Sequence, residues 1–168
     1  MKRLLLIAAL AVFSMSLVNA QEGFKVGANV GIPVGDASDF TTFGFGVDAY
    51  YFFEVGSGFL LGGTAGYHHF LGDEEEFLGI TFDYDDFQFI PVGAAARFYI
   101  MDELFLGANI GYAIGINDGN DGGFHYRPMV GYDLGSVNLN LSYSAVSFDD
   151  EFGDFTFSSI LLGVEIGF

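Results

Sequence analysis

The stretch VNLNLSYSA, residues 137–145, alternates without a break. Val137, Leu139, Leu141, Tyr143 and Ala145 share one side, and Asn138, Asn140, Ser142 and Ser144 share the other. Successive side chains of an extended strand point to opposite faces, so this segment reads as a strand with one apolar and one polar face. The same two-residue period recurs in seven further runs, at 24–32, 43–53, 59–70, 87–99, 104–115, 124–134 and 155–168. After residue 20 no run carries helical spacing, and Gly recurs too often, beside Phe and Tyr two residues apart, for a helix to persist. The expected fold is therefore all-β, with eight strands.

Most of these runs are long enough to cross a bilayer as tilted strands, which takes about 9–11 residues. Their connections alternate in length. Segments 34–42, 71–86, 116–123 and 146–154 are long and polar, whereas 54–58, 100–103 and 135–136 are short. An even number of antiparallel strands, with long loops at one end and short turns at the other, is the layout of an up-and-down transmembrane barrel.

Three features say which face meets lipid. The apolar face is rimmed by aromatics, with Phe24, Tyr51, Phe53, Phe59, Phe98, Tyr132 and Phe168 beside the short turns. Phe43, Tyr67, Tyr112, Phe124, Tyr126 and Tyr143 sit beside the long loops, so there are two belts, one for each membrane interface. The other face is rich in Gly, Ser, Asn and Ala, which lets a narrow eight-stranded interior close. Finally, that polar face carries three bases, Lys25, Arg97 and Arg127, and three acids, Asp48, Asp133 and Glu165. Equal numbers on one face predict a salt-bridge network in the lumen, because an unpaired charge there is costly. Pro91 and Pro128 interrupt two of the strands, and a closed barrel has no free edge to hold them. A bulge or local distortion is expected at each, and an inserted residue there is what could reverse the facing of its neighbours, Arg97 and Arg127 included.

The 168 residues carry 22 acids and only 5 Lys and Arg, a formal charge of −17. Residues 1–20 read as a secretory signal: Lys2 and Arg3 precede an apolar run from Leu4 to Val18, and Val18-Asn19-Ala20 offers a cleavage site. Residues 21–168 form the barrel domain, which keeps 3 bases against all 22 acids. Of those acids, 15 lie in the long loops and four, Glu22, Glu54, Asp102 and Glu103, at the opposite end. Such a chain has no basic face for nucleic acid. It has no Cys, which excludes a disulfide scaffold, a thiol nucleophile, a thiolate metal site and a lipid-modified cysteine anchor. A hydrophobic fraction of 51% excludes disorder.

The chain resembles the small outer-membrane β-barrel proteins of Bacteroidetes, the PorT-like and OmpA-like eight-stranded group. The resemblance rests on the Gly-rich first strand GFKVGANVGIP (23–33), on Phe89-Ile90-Pro91-Val92, on Met129-Val130-Gly131-Tyr132, and on the ending Gly163-Val164-Glu165-Ile166-Gly167-Phe168. It covers residues 21–168. It implies a bacterial outer-membrane location and contact with outer-membrane lipid and lipopolysaccharide. It also implies that Val164, Ile166 and Phe168 form an assembly signal read by the barrel-insertion machinery. A monomer is expected, with no peptidoglycan-binding module after Phe168.

Other candidate sites are weaker. Asp73, Glu74, Glu75, Glu76, Asp83, Asp85 and Asp86 make the longest loop oxygen-rich, a composition that binds divalent cations loosely, but no EF-hand spacing is present. Segment 117–123 has turn chemistry first. His68 and His69 are adjacent and so face opposite ways, which makes a poor chelate. Ser142, Ser144 and His125 are the only polar set for hydrolytic chemistry, without a nucleophile elbow. Gly44 and Gly46 fit no nucleotide loop. No cofactor, no resident metal and no catalytic residue is therefore assigned. The expected role is structural, binding or envelope maintenance, with acidic extracellular loops. A small channel is the alternative, and a lipid-modifying enzyme or a soluble lipocalin-like ligand binder comes below it.

Overall fold

The computed structural model describes residues 22–77, 80–148 and 155–168. The proposed signal segment therefore lies outside the described residues. Eight strands close a barrel: β1 (Gly23–Val34), β2 (Thr41–Gly56), β3 (Phe59–Gly72), β6 (Phe87–Tyr99), β7 (Leu104–Gly115), β8 (Gly123–Asp133), β9 (Val137–Phe148) and β10 (Phe155–Gly167). Neighbours in sequence pair antiparallel around the ring, and β1 pairs with β10 to close it. Both described ends meet at the short-turn end, where the Phe168 amide donates to the Phe24 carbonyl at 2.9 Å. Closure leaves no sheet edge, so the barrel strands find their backbone partners within the wall.

Two elements lie outside the ring. A short hairpin, β4 (Glu74–Phe77) with β5 (Ile80–Asp83), extends the longest loop. A 3₁₀ turn at Gly35–Asp39 folds over the long-loop end, with Ala37 fully buried and its carbonyl accepting from Thr41 Oγ1 at 2.6 Å. The alternating pattern that predicts the barrel strands carries no signal for either element.

Of the bulge or local distortion expected at Pro91 and Pro128, only the distortion occurs. The β3–β6 ladder runs Ala65↔Val92 and then His68↔Phe89, the same register on both sides of Pro91. The β8–β9 ladder runs Tyr126↔Ala145 and then Met129↔Ser142 across Pro128. Each proline interrupts the ladder to one neighbour while staying paired to the other, at Ala113 and Ala108. A missing N–H thus leaves a local gap rather than an inserted residue, and facing parity is unchanged.

The faces follow from that parity. Val30, Val47, Leu106, Ile110, Leu139, Leu141, Leu162 and Ile166 all point outward and are exposed. Inside, small residues lie opposite large ones. Gly131 pairs with Phe105, Gly44 with Phe70, Gly46 with His68, Gly62 with Phe52 and Gly107 with Arg97. A Cβ at Gly131 would strike the Phe105 ring, and one at Gly44 the Phe70 ring. The inward glycines are therefore the spaces into which inward aromatics and charged chains fold.

The interior is stacked in layers. At the long-loop end Phe70, Phe89, Phe157, Leu161, Val146, Ala113 and Ala37 form an apolar cluster, with Phe40, Phe87, Phe148 and Phe155 packed against it. At the other end Tyr50, Phe52, Leu60 and Ala95 form a second, with Tyr99 beside it. Polar side chains fill the rest.

Candidate functional site

All six charged residues of the expected network are buried, each at most 6% exposed. They are organised around two ion pairs. In the first, Arg97 donates from an Nη to Glu165 Oε2 at 2.6 Å. Asn140 donates to the other Glu165 oxygen at 3.0 Å. The guanidinium also lies over the rings of Phe52, Phe105 and Tyr50, at 4.5, 4.8 and 5.1 Å from their centroids. A weakly hydrated, planar cation suits such a site better than an ammonium does.

In the second, Arg127 donates to Asp48 Oδ2 at 2.7 Å and, through Nε, to Ser142 at 2.8 Å. Asp48 is saturated by further donors: Asn29 reaches the same oxygen at 2.8 Å, and His68 Nε2 lies 3.0 Å from Oδ1. Asp133 accepts from the Tyr99 hydroxyl at 2.8 Å and from the Gly135 amide at 2.7 Å. Asn138 links this group to the cations. With its amide oriented to match its neighbours, it donates to Asp133 at 3.1 Å and accepts from Arg97 at 3.1 Å and Lys25 at 3.0 Å. Buried charges survive in a dry interior when paired and hydrogen-bonded, and most members here are both.

The count of charges on one face misses several members. Tyr99, Asn138, Asn140, Asn29 and His68 share the inward parity, so strand facing alone could have found them. The aromatic bed under Arg97 carries no charge signal. It comes from inward Phe52 and Phe105, which the polar reading of that face does not anticipate.

The alternative chemical sets separate. His125 shares a hydrogen bond with Ser144 at 3.1 Å, but the acid, Asp48, is paired with His68 instead. Ser142 is held by Arg127. His69 faces outward, as adjacency to His68 requires. It stacks on Phe45, contacts the Tyr67 hydroxyl through Nδ1 at 2.9 Å and lies 2.8 Å from Asp86 Oδ2 through Nε2. Asp86 Oδ1 also accepts from the Gly72 amide at 2.9 Å. That amide, and then His69, hold the Asp86 carboxyl below its ordinary value.

Of the suggested cation loop, the side chains of Glu74, Glu75, Glu76 and Asp83 lie outside what is described. Asp86 is committed to the latch on β3. Among the described residues no group of three or more His, Asp or Glu is placed to hold a metal. Val164 and Ile166 project outward, while Phe168 is half-buried with its ring 6.3 Å from that of Phe24.

No family model and no curated protein matches the chain. Solved structures do match in shape. Yersinia pestis outer membrane protein Ail, in a phospholipid nanodisc, shares 17% identity at a TM-score of 0.56, covering 88% of this chain and all of that one. Neisserial surface protein A shares 18% at 0.53, over 88% of this chain and 98% of the other. A de novo designed transmembrane β-barrel shares 12% at 0.54, over 90% and 100%. Apolar wall, polar lumen, closed ring and these likenesses agree: the chain has the fold of the eight-stranded β-barrels that span the bacterial outer membrane.

Proposed function

We propose that this chain is a non-conducting outer-membrane barrel that works as a rigid platform, presenting acidic loops for binding at the cell surface. The observation that carries this is the filled lumen. Two apolar clusters and two buried Arg–carboxylate pairs, one of them against the second cluster, occupy the cross-section. The 3₁₀ turn with Ala37 and the ring of Phe40, Phe87, Phe148 and Phe155 cover the long-loop end. A barrel of eight strands filled this way has no space for a continuous file of water.

The role is binding rather than catalysis, because the buried His125–Ser144 pair has no acid on it and no access to substrate. Membership of the PorT-like group is part of the proposal and rests on the motifs quoted above. Monomeric assembly, acidic loops bridged to lipopolysaccharide by divalent cations, and an insertion signal at Val164, Ile166 and Phe168 are also part of the proposal. Neighbouring folds add one hint: a crystal structure of Ail names it the attachment invasion locus protein.

Planar-bilayer recording tests the platform. Purified barrel should insert without discrete conductance steps. Steady single-channel steps would replace the platform reading with a small channel.

A further inference from the structure

The long-loop end holds a cleft in two compartments. One, of about 320 Å³, is floored by Phe40, Phe87 and Phe155. The other, of about 440 Å³, is walled by Asp86 and Gln88. Tyr84, Asp85, Asn117 and Asp118 line both. The aromatic floor is a packed unit: the Phe40 ring lies 5.9 Å from Phe87, 5.6 Å from Phe155 and 6.3 Å from Tyr84.

The walls are fixed by amide side chains. Asn117 donates to the Asp86 carbonyl at 2.7 Å and accepts from the Gln88 amide at 2.9 Å. Asn120 donates to the Gln88 carbonyl at 2.9 Å and accepts from the Gly122 amide at 3.1 Å. These bonds staple segment 116–123 to the start of β6. The carboxylates of Asp85 and Asp118 remain, exposed and without a hydrogen bond or ion pair among the described residues. Among the described residues no Lys or Arg neutralises them, because Lys25, Arg97 and Arg127 are all in the lumen.

We propose that this cleft binds a primary amine carried on an apolar body of side-chain size. The inference rests on the platform reading and names its ligand class. Acceptor-only carboxylates beside aromatic faces select a donor-rich cation with an apolar end. The amine sits between Asp85 and Asp118, and its body lies on Phe40 and Phe155. Two sources carry this chemistry, a free aralkylamine and a lysine side chain.

The test uses the full barrel in zwitterionic nanodiscs and ligand-observed NMR titration. Phenethylamine is the free amine, and N-acetyl-lysine amide supplies the lysine side chain. Phenethyl alcohol is the uncharged isostere, phenylacetate the anion and calcium chloride the competing cation. At low salt, phenethylamine should bind about tenfold tighter than the alcohol, with phenylacetate not binding. Asp118→Asn and Asp85→Asn should each weaken the amine about three- to fivefold and leave the alcohol unchanged. Tighter binding of phenethylamine than of N-acetyl-lysine amide assigns the site to free amines, and the reverse assigns it to lysine. Equal binding of amine and alcohol overturns the proposal, as does no binding of either amine in the millimolar range. Calcium binding at the cleft with no amine preference overturns it too. A silent bilayer recording together with a failed titration would sink the amine and leave the platform standing.

Discussion

Replacing Arg97 by Ala removes the centre of the charge group around Glu165, and the structure sets the size of the effect. Glu165 loses its 2.6 Å partner and keeps only the 3.0 Å bond from Asn140. Asn138 loses one of the cations it accepts from, and Phe52, Phe105 and Tyr50 lose the plane that covers them. Leaving a buried carboxylate without its cation costs about 3–5 kcal/mol. Lys25 sits two residues from Gly27, the direct partner of Glu165, on the same inward face, and can take over part of the pairing. The loss should therefore fall near 3 kcal/mol, the lower end of that range. Urea unfolding in lipid vesicles, followed by circular dichroism because the chain has no Trp, measures it. The partner experiment is the double variant Arg97→Met with Glu165→Leu. Removing both charges at once should restore stability to within about 1 kcal/mol of the parent, since an apolar pair replaces a buried ion pair with little loss. A single variant costing less than about 1 kcal/mol, or a double variant as damaged as the single, would refute the reasoning.

Gly131→Val should put a side chain into the Phe105 ring and destabilise the barrel by about 1–3 kcal/mol or more, and Phe105→Ala added to it should recover part of that loss. Melting of the single and double variants in detergent checks the pair. The Asp86 latch should be pH-dependent. Because its carboxyl is held below the ordinary value, the latch is intact above the ordinary carboxyl range of about 4 and is lost as pH falls through the lower folded value. Hydrogen-exchange protection of the Gly72 amide, taken relative to its intrinsic rate at each pH, should fall on acidification, and Asp86→Asn should abolish that dependence of the protection. A protection with the same pH profile in parent and Asp86→Asn would remove the latch.

The barrel strands are legible because the two-residue period is written into every one of them, most plainly at 137–145. Facing is legible too: the inward cations Arg97 and Arg127 are found by parity alone, and the prolines leave that parity intact. The pairing of Arg97 with Glu165 rather than Asp133 was not legible. It depends on barrel register across strands far apart in sequence, and no local pattern encodes that. The aromatic layers are not legible from the polar trend of the inward face, because Phe70, Phe89, Phe105 and Phe157 break it. For Phe70, Phe89 and Phe105 the signal lies in their partners, since an inward Phe next to an inward Gly across the ladder marks a filled lumen. The 3₁₀ turn and the β4–β5 hairpin lie in segments whose composition says only that they are polar connections. The cleft at Asp85 and Asp118 is assembled from four segments that meet only in the folded barrel.

The central claim is that residues of one parity meet lipid and those of the other fill a closed interior. The chain has no cysteine, so single-cysteine spin labels can be placed one at a time along β9. Labels at Leu139 and Leu141 in a reconstituted bilayer should be relaxed strongly by oxygen, which partitions into lipid, and little by a water-soluble nickel chelate. Labels at Asn138, Asn140 and Ser142 should be shielded from both. High chelate accessibility at the even-numbered positions would mean a water-filled lumen. High chelate accessibility at Leu139 and Leu141 would mean that the apolar wall does not face a membrane at all.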